Sequence, residues 1–311
     1  MIRRLLLPAI AVVWTLVLSA PAQAQQFELG DVIVSGEIPL PGFQEFEAKI
    51  LRYDRLGRLK SVLADVSPFE QFGRLAFSPL GVLHTTSGNG IVTVSPGGKI
   101  TRYLYGADIY YALSFAADGT LLAGYRGILS RFSASGTRLN SYAVPGDVIS
   151  LDLAGDQCTA YWIRPGVQKF DICKGTPLPA FASLGGADFR LLPGGGVAIT
   201  RTDGVEILSS DGSLLRKIGT VGGALALDVD GTSIWLAQQG GLLSKFDLAT
   251  GNQLLGPIQT GLTGIDGLTV YGEPRAAFVN GPLTAIPTLS PRMLLMLCVA
   301  LAAFAMLRLR M

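Results

Sequence analysis

Phe115-Ala116-Ala117-Asp118-Gly119 and Leu227-Asp228-Val229-Asp230-Gly231 follow one plan: an apolar residue ends a strand, and an Asp-Gly pair closes a tight turn. Three more segments share the apolar start and the turn but not the Asp-Gly pair: Phe77-Ser78-Pro79-Leu80-Gly81, Leu153-Ala154-Gly155-Asp156-Gln157 and Leu191-Leu192-Pro193-Gly194-Gly195. The turns end at 81, 119, 157, 195 and 231, in steps of 38, 38, 38 and 36. A fixed period of this size marks a repeat architecture. A second series of turns lies between the first: Leu56-Gly57, Gly97-Gly98, Ser135-Gly136, Lys174-Gly175, Asp211-Gly212 and Thr250-Gly251.

The flanking segments are short alternating runs such as Ile128-Leu129-Ser130-Arg131-Phe132 and Leu243-Ser244-Lys245-Phe246, and no helical period runs between Asp31 and Tyr271. Four short strands per repeat make the blade of a β-propeller. The segment from Asp31 to Val66 supplies three strands and lacks the innermost one, whereas Gly264-Ile265-Asp266-Gly267-Leu268-Thr269-Val270 is an innermost strand with no blade after it. The expected fold is therefore all-β, a six-bladed β-propeller closed by one blade shared between the N- and C-terminal segments. The rival is a β-helix or open β-solenoid, whose repeats are usually shorter and lack a split terminal blade.

Composition agrees. Of 311 residues, 49% are hydrophobic, 15% are charged and 39 are glycine. A disordered chain would carry more charge and less apolar mass. Glycine without a three-residue period excludes collagen and points to many turns.

The two ends read as addresses. Ile2-Arg3-Arg4, the apolar run Leu5 to Leu18 and Ala22-Gln23-Ala24 form an export signal with cleavage expected before Gln25, the alternative being an N-terminal anchor. Met293 to Leu307 is an apolar run of 15 residues closed by Arg308-Leu309-Arg310. It is short against the roughly 20 residues of a stable span, and its basic end would stay cytoplasmic. The expected division is signal 1–24, propeller 25–275, linker 276–290 and hydrophobic helix with basic end 291–311. With Arg3, Arg4, Arg292, Arg308 and Arg310 set aside, the body holds 20 bases against 23 acids, a net of −3. That balance excludes the concentrated basic footprint of a nucleic-acid binder.

Cys158 and Cys173 fall on the second and third strands of the fourth blade, with the turn Pro165-Gly166 midway, so they face each other across the ladder. Opposed strand residues lie within disulfide range, and export supplies the oxidising compartment. Cys298 lies in the tail.

Candidate chemistry is sparse. His84 is the one histidine of the chain, which excludes a His-rich zinc site and leaves a Ser-His-Asp relay nothing else to use; on a strand it reads as structural. The connections into successive inner strands carry Glu70, Asp108, Asp147, Asp188 and Asp266, spaced 38, 39, 41 and 78. A ring of carboxylates at the channel mouth suits a hard cation such as Ca²⁺ or a cationic ligand. Against this, Glu70 and Asp108 stand eleven residues ahead of the next turn but Asp188 and Asp266 seven and six, so the spacing alone does not make them converge. Tyr110, Tyr111, Tyr161, Trp162 and Trp235 offer a stacking surface or, as strand aromatics usually do, blade packing.

Two resemblances follow from these residues. Ile286-Pro287-Thr288-Leu289-Ser290, followed by a short hydrophobic helix and a basic end, resembles the IPTL-type sorting tails of Gram-negative bacteria. It departs from them in carrying Pro291-Arg292-Met293 where an aromatic-glycine pair is usual. The resemblance implies an exosortase-like protease or the inner membrane as partner, and the cell envelope, surface or exterior as destination. The blade-turn segments, with Lys245-Phe246-Asp247-Leu248-Ala249-Thr250-Gly251, are similar to NHL-like, streptogramin-lyase-like and gluconolactonase-like propellers. Neither the lyases' histidine-centred site nor the lactonases' metal site maps onto this chain residue by residue, and fold does not carry function with it. The leading expectation is an exported, non-catalytic binding or display module for a protein, glycan or small ligand. The alternatives are a metal-dependent lactonase or lyase using the carboxylates, and a surface-layer component.

Overall fold

The computed structural model describes residues 26–39, 46–66, 72–88, 90–105, 108–219 and 222–274. The signal, the sorting motif, the tail run and Glu70 lie outside them. Among the described residues, 24 strands form six four-stranded antiparallel sheets. No helix of the described residues is long and apolar enough to cross a membrane.

The sheets are the blades of the six-bladed propeller. Blade 1 joins the chain ends: β24 (Gly264–Val270) is innermost, followed by β1 (Val32–Pro39), β2 (Phe46–Tyr53) and β3 (Leu59–Val66). Val32 lies opposite Val270 and Glu37 opposite Gly264, so the blade is split as the sequence predicts. The other inner strands are β4 (Phe72–Phe77), β8 (Ala112–Phe115), β12 (Leu151–Leu153), β16 (Phe189–Leu191) and β20 (Gly222–Leu227). Each inner strand contacts its neighbours on either side, from β24 through β4 around to β20 and back to β24.

Side-chain alternation builds the core. Successive strand residues point to opposite faces, so in β1 Ile33 packs toward blade 2 while Val32 and Val34 pack toward blade 6. Six apolar clusters result, one at each blade interface. The outermost strands instead face water, as in Arg138–Ala143 and Gln253–Gln259.

Both sequence-identified turn series fall at the same end of the ring. Their glycines hold the left-handed conformation, for example Gly119 at φ 84° and Gly231 at φ 66°. Gln157 occupies that position at φ 59°, and its side chain accepts the Ala117 N–H at 2.6 Å from the preceding blade, a contact glycine cannot make. The chain ends meet at this end too: Gly30 N donates to Tyr271 O at 2.9 Å, and Asp31 is buried against Arg52 at 2.8 Å.

Cys158 and Cys173 form a disulfide with Cα atoms 5.2 Å apart. Cys158 stands one residue before Thr159–Ile163 and Cys173 two residues after Val167–Asp171, the ladder in which Thr159 pairs with Asp171, so both lie just outside the strands on which the sequence places them. Closing a 15-residue separation contributes about 3 kcal/mol in the chain-entropy account.

Candidate functional site

At the other end of the ring the inter-blade connections and the second hairpin loops converge, and the site runs from that mouth, at Arg74 and Asp188, along the channel to Glu273 near the turn end. The inner edges of β4, β12, β16, β20 and β24 turn backbone groups toward the channel, and among the described residues no further strand bonds them. Such groups need partners once buried. Carboxylates take several of the N–H groups: Asp152 accepts Leu191 N at 3.0 Å, Asp188 accepts Leu225 N at 2.9 Å and Glu273 accepts Leu227 N at 2.7 Å. Arginines take carbonyls: Arg74 Nη2 donates to Ala187 O at 2.7 Å and Arg190 Nη2 to Leu268 O at 3.2 Å.

These groups close the channel. Arg74 leaves β4 in blade 2 and reaches Asp188 in blade 5, the blade opposite; Nη1 lies 2.7 Å from Asp188 Oδ2, off-line for a hydrogen bond and therefore an ionic contact. Asp188 is fully buried. It also accepts Ser150 Oγ at 2.5 Å, Phe189 N at 2.9 Å and Arg190 Nη1 at 3.3 Å. Arg190 continues to Glu273 Oε1 at 3.1 Å. Burial pushes the Asp188 carboxyl up, but Arg74 and Arg190 outweigh it and hold the group below the usual range. The Asp188 charge pushes the Arg190 guanidinium up against its desolvation. A small cavity of about 30 Å³ is lined in part by Asp152, Arg190 and Glu273.

The other sequence-identified acids are divided among separate partners. Asp108 pairs with Arg138 and accepts the hydroxyls of Tyr110 and Tyr125 at 3.3 and 3.2 Å, all in blade 3. Asp147 stands 3.9 Å from Arg164. Asp266 keeps an exposed edge but sits in the concave mouth, where desolvation pushes its carboxyl up against the pull of Arg74. Glu37 is raised by burial and by the Asp266 charge. Among the described residues, the one cluster of three metal-ligating side chains is Cys158, Asp171 and Cys173, whose sulfurs are bonded to each other. A carboxylate has about four lone-pair directions, and those of Asp188 are taken by backbone, serine and guanidinium groups. The donor set at Asp188 does not fit a cation.

Beside the plugged channel an open groove of about 750 Å³ runs over blades 4, 5, 6 and 1. Its lining carries Arg164, Arg201, Thr202, Gln238, Gln239 and Thr263 over a floor of glycine backbone. Arg164 holds φ 114°, an uncommon conformation for a residue with a side chain. Sequence reasoning looked for acids and so missed this groove and the plug. The available signal was Arg74 in Phe72-Gly73-Arg74-Leu75-Ala76-Phe77 and Arg190 in Phe189-Arg190-Leu191: a charge in an apolar inner strand requires a buried partner.

His84, Trp162, Trp235 and Tyr110 are packing residues, whereas Tyr111 is half-buried and its hydroxyl accepts Arg126 Nε at 3.2 Å. His84 is buried between Tyr103 and Phe115, with ring centroids 4.9 and 4.7 Å away, and its Nδ1 lies 3.0 Å from Val82 O. Trp162 and Trp235 are fully buried in blade interfaces, and Tyr110 packs at the interface of blades 2 and 3.

No protein-family model and no curated protein matches this sequence. Solved structures do. A protein of unknown function from Bacteroides caccae is similar at TM-score 0.61 and 11% identity, over 79% of this chain and 100% of the other. A gluconolactonase from Xanthomonas campestris aligns at TM-score 0.54 and 17% identity, over 69% and 84%. A chain of a nidogen/laminin complex aligns at TM-score 0.63 and 14% identity, over 79% and 100%. At these identities the likeness is one of fold.

Proposed function

We propose that this propeller is a non-catalytic binding module that takes its ligand in the open groove. The observation that carries this is the Arg74 guanidinium against Asp188: the deepest carboxylate of the mouth is neutralised from within the chain. The groove lies at the end opposite the meeting point of the chain ends, as a display module requires. The competing reading, a metal-dependent lactonase or lyase, draws on the gluconolactonase fold likeness and on Asp266 with its raised carboxyl.

Melting with excess Ca²⁺ and with EDTA separates the two. The wild-type midpoint is expected not to move in either, whereas Ca²⁺ should raise that of Arg74→Ala, in which Asp188 keeps only one of its two guanidinium partners and Asp266 loses the pull of Arg74. Stoichiometric metal in the purified wild-type protein, or a chelator-sensitive melt, would sink the binding reading and favour the enzyme.

Export and sorting through the Ile286–Ser290 motif belong to the same proposal. They rest on the two terminal patterns and on the disulfide, which persists in oxidising compartments. Protein recovered from the envelope should begin at Gln25 and carry Cys158 and Cys173 oxidised. A chain that keeps Met1 and free thiols would count against export.

A further inference from the structure

We infer that the groove takes a carboxylate-bearing saccharide of the uronate class, held by Arg164 and Arg201. The inference rests on the binding reading above and deepens it. Among the described residues that line the groove there are two guanidinium groups, no acid and no aromatic ring. Each arginine is held in a long ion pair that contains no hydrogen bond, Arg164 Nη1 at 3.9 Å from Asp147 and Arg201 Nε at 3.7 Å from Glu206, so a ligand carboxylate would share each guanidinium with an acid of the chain. Arg201 Nη1 is fixed by donation to Gly185 O at 2.7 Å, which sets the plane of its guanidinium. The Arg164 side chain is 63% exposed. Planar guanidinium groups match a carboxylate with paired hydrogen bonds.

The rest of the lining selects a polyol over a peptide. Gln239 and Thr263 are neutral donors and acceptors, and the glycine floor lets a ligand reach backbone groups. Sugar hydroxyls, which both donate and accept, fit such a surface. The apolar lining is four aliphatic residues (Ile149, Ala187, Ala237 and Ile265), and an anchoring peptide side chain would find little to bury against. The volume of about 750 Å³ is within the roughly 300–1,000 Å³ of small-molecule sites.

Titration calorimetry of the purified protein with trigalacturonate and with its methyl ester tests this. The ester keeps every hydroxyl and lacks the charge, so the acid is expected to bind about tenfold tighter or better. Arg164→Gln and Arg201→Gln should each weaken the acid by about tenfold and leave the ester unchanged, with Arg164→Gln melting like wild type. Arg201→Lys, which keeps the charge but not the fork, should fall between. Gly264→Phe supplies the separate control. A Cβ at Gly264 meets no atom within 4 Å, so the ring can carry the side chain while the groove is filled, and both ligands should be lost. Equal binding of acid and ester, abolished by Gly264→Phe, would overturn the uronate inference and leave the groove reading standing. Tighter Arg-dependent binding of a polyaspartate peptide or of inorganic phosphate would overturn the saccharide class. Binding indifferent to Gly264→Phe would overturn the groove reading itself.

Discussion

Asp188→Ala is expected to lower the melting midpoint by roughly 6–20 °C. Asp188 is fully buried and accepts hydrogen bonds or ionic contacts from blades 2, 4, 5 and 6. Removing it strands the Arg74 guanidinium and weakens the hold on Arg190, and loss of one partner of a buried pair costs about 3–5 kcal/mol. Adding Arg74→Met should recover part of the loss, because the stranded charge is then absent; lost contacts alone would give no recovery. The pH dependence has a fixed sign. An acid held below its usual range contributes stability that is present above the unfolded carboxyl's range, near pH 4, and is lost as pH falls through the folded value. The gap between wild type and Asp188→Ala should therefore narrow below about pH 4. A variant that melts within about 2 °C of wild type at neutral pH would show that the plug carries little stability.

Ending the chain at Gly261 is expected to abolish the cooperative transition altogether. The deletion removes β24, and with it Leu268 and Val270 from the cluster around Trp235, the carbonyl that receives Arg190, and the Glu273 carboxylate. It also bares the inner edge of β1 along its whole pairing from Val32 to Glu37. Unpaired edges recruit other chains, so size-exclusion chromatography should show aggregates in place of monomer. A synthetic peptide spanning 262–274 should restore a cooperative melt by adding the missing strand in trans. A truncated chain that stays monomeric and melts like wild type would remove the closing role of β24.

The architecture was legible because its determinants are local. Asp-Gly turns such as Asp118-Gly119 and Asp230-Gly231 encode the hairpins, and the orphan strand Gly264–Val270 encodes the closure. The disulfide followed from the hairpin midpoint at Pro165-Gly166. The site was less legible, for a physical reason. Whether Asp188 meets a metal or an arginine depends on Arg74, 114 positions earlier in the chain and on the opposite blade. No periodicity reports such a contact. Spacing put Asp108 and Asp188 in equivalent connections, yet Asp108 pairs outward with Arg138 while Asp188 turns into the channel. Asp152 and Glu273, which do face the channel, lay outside the spaced series.

The pairing of Val32 with Val270 also governs how the chain acquires its fold. Blades 2 to 6 are each contiguous in sequence and can form from neighbouring residues. Blade 1 cannot, since its innermost strand is the last ring segment to be synthesised. Contacts between such distant residues slow folding. The final event is therefore a docking of the two chain ends. Its rate, and not the strength of any blade, sets how long the open edge of β1 is available to other chains.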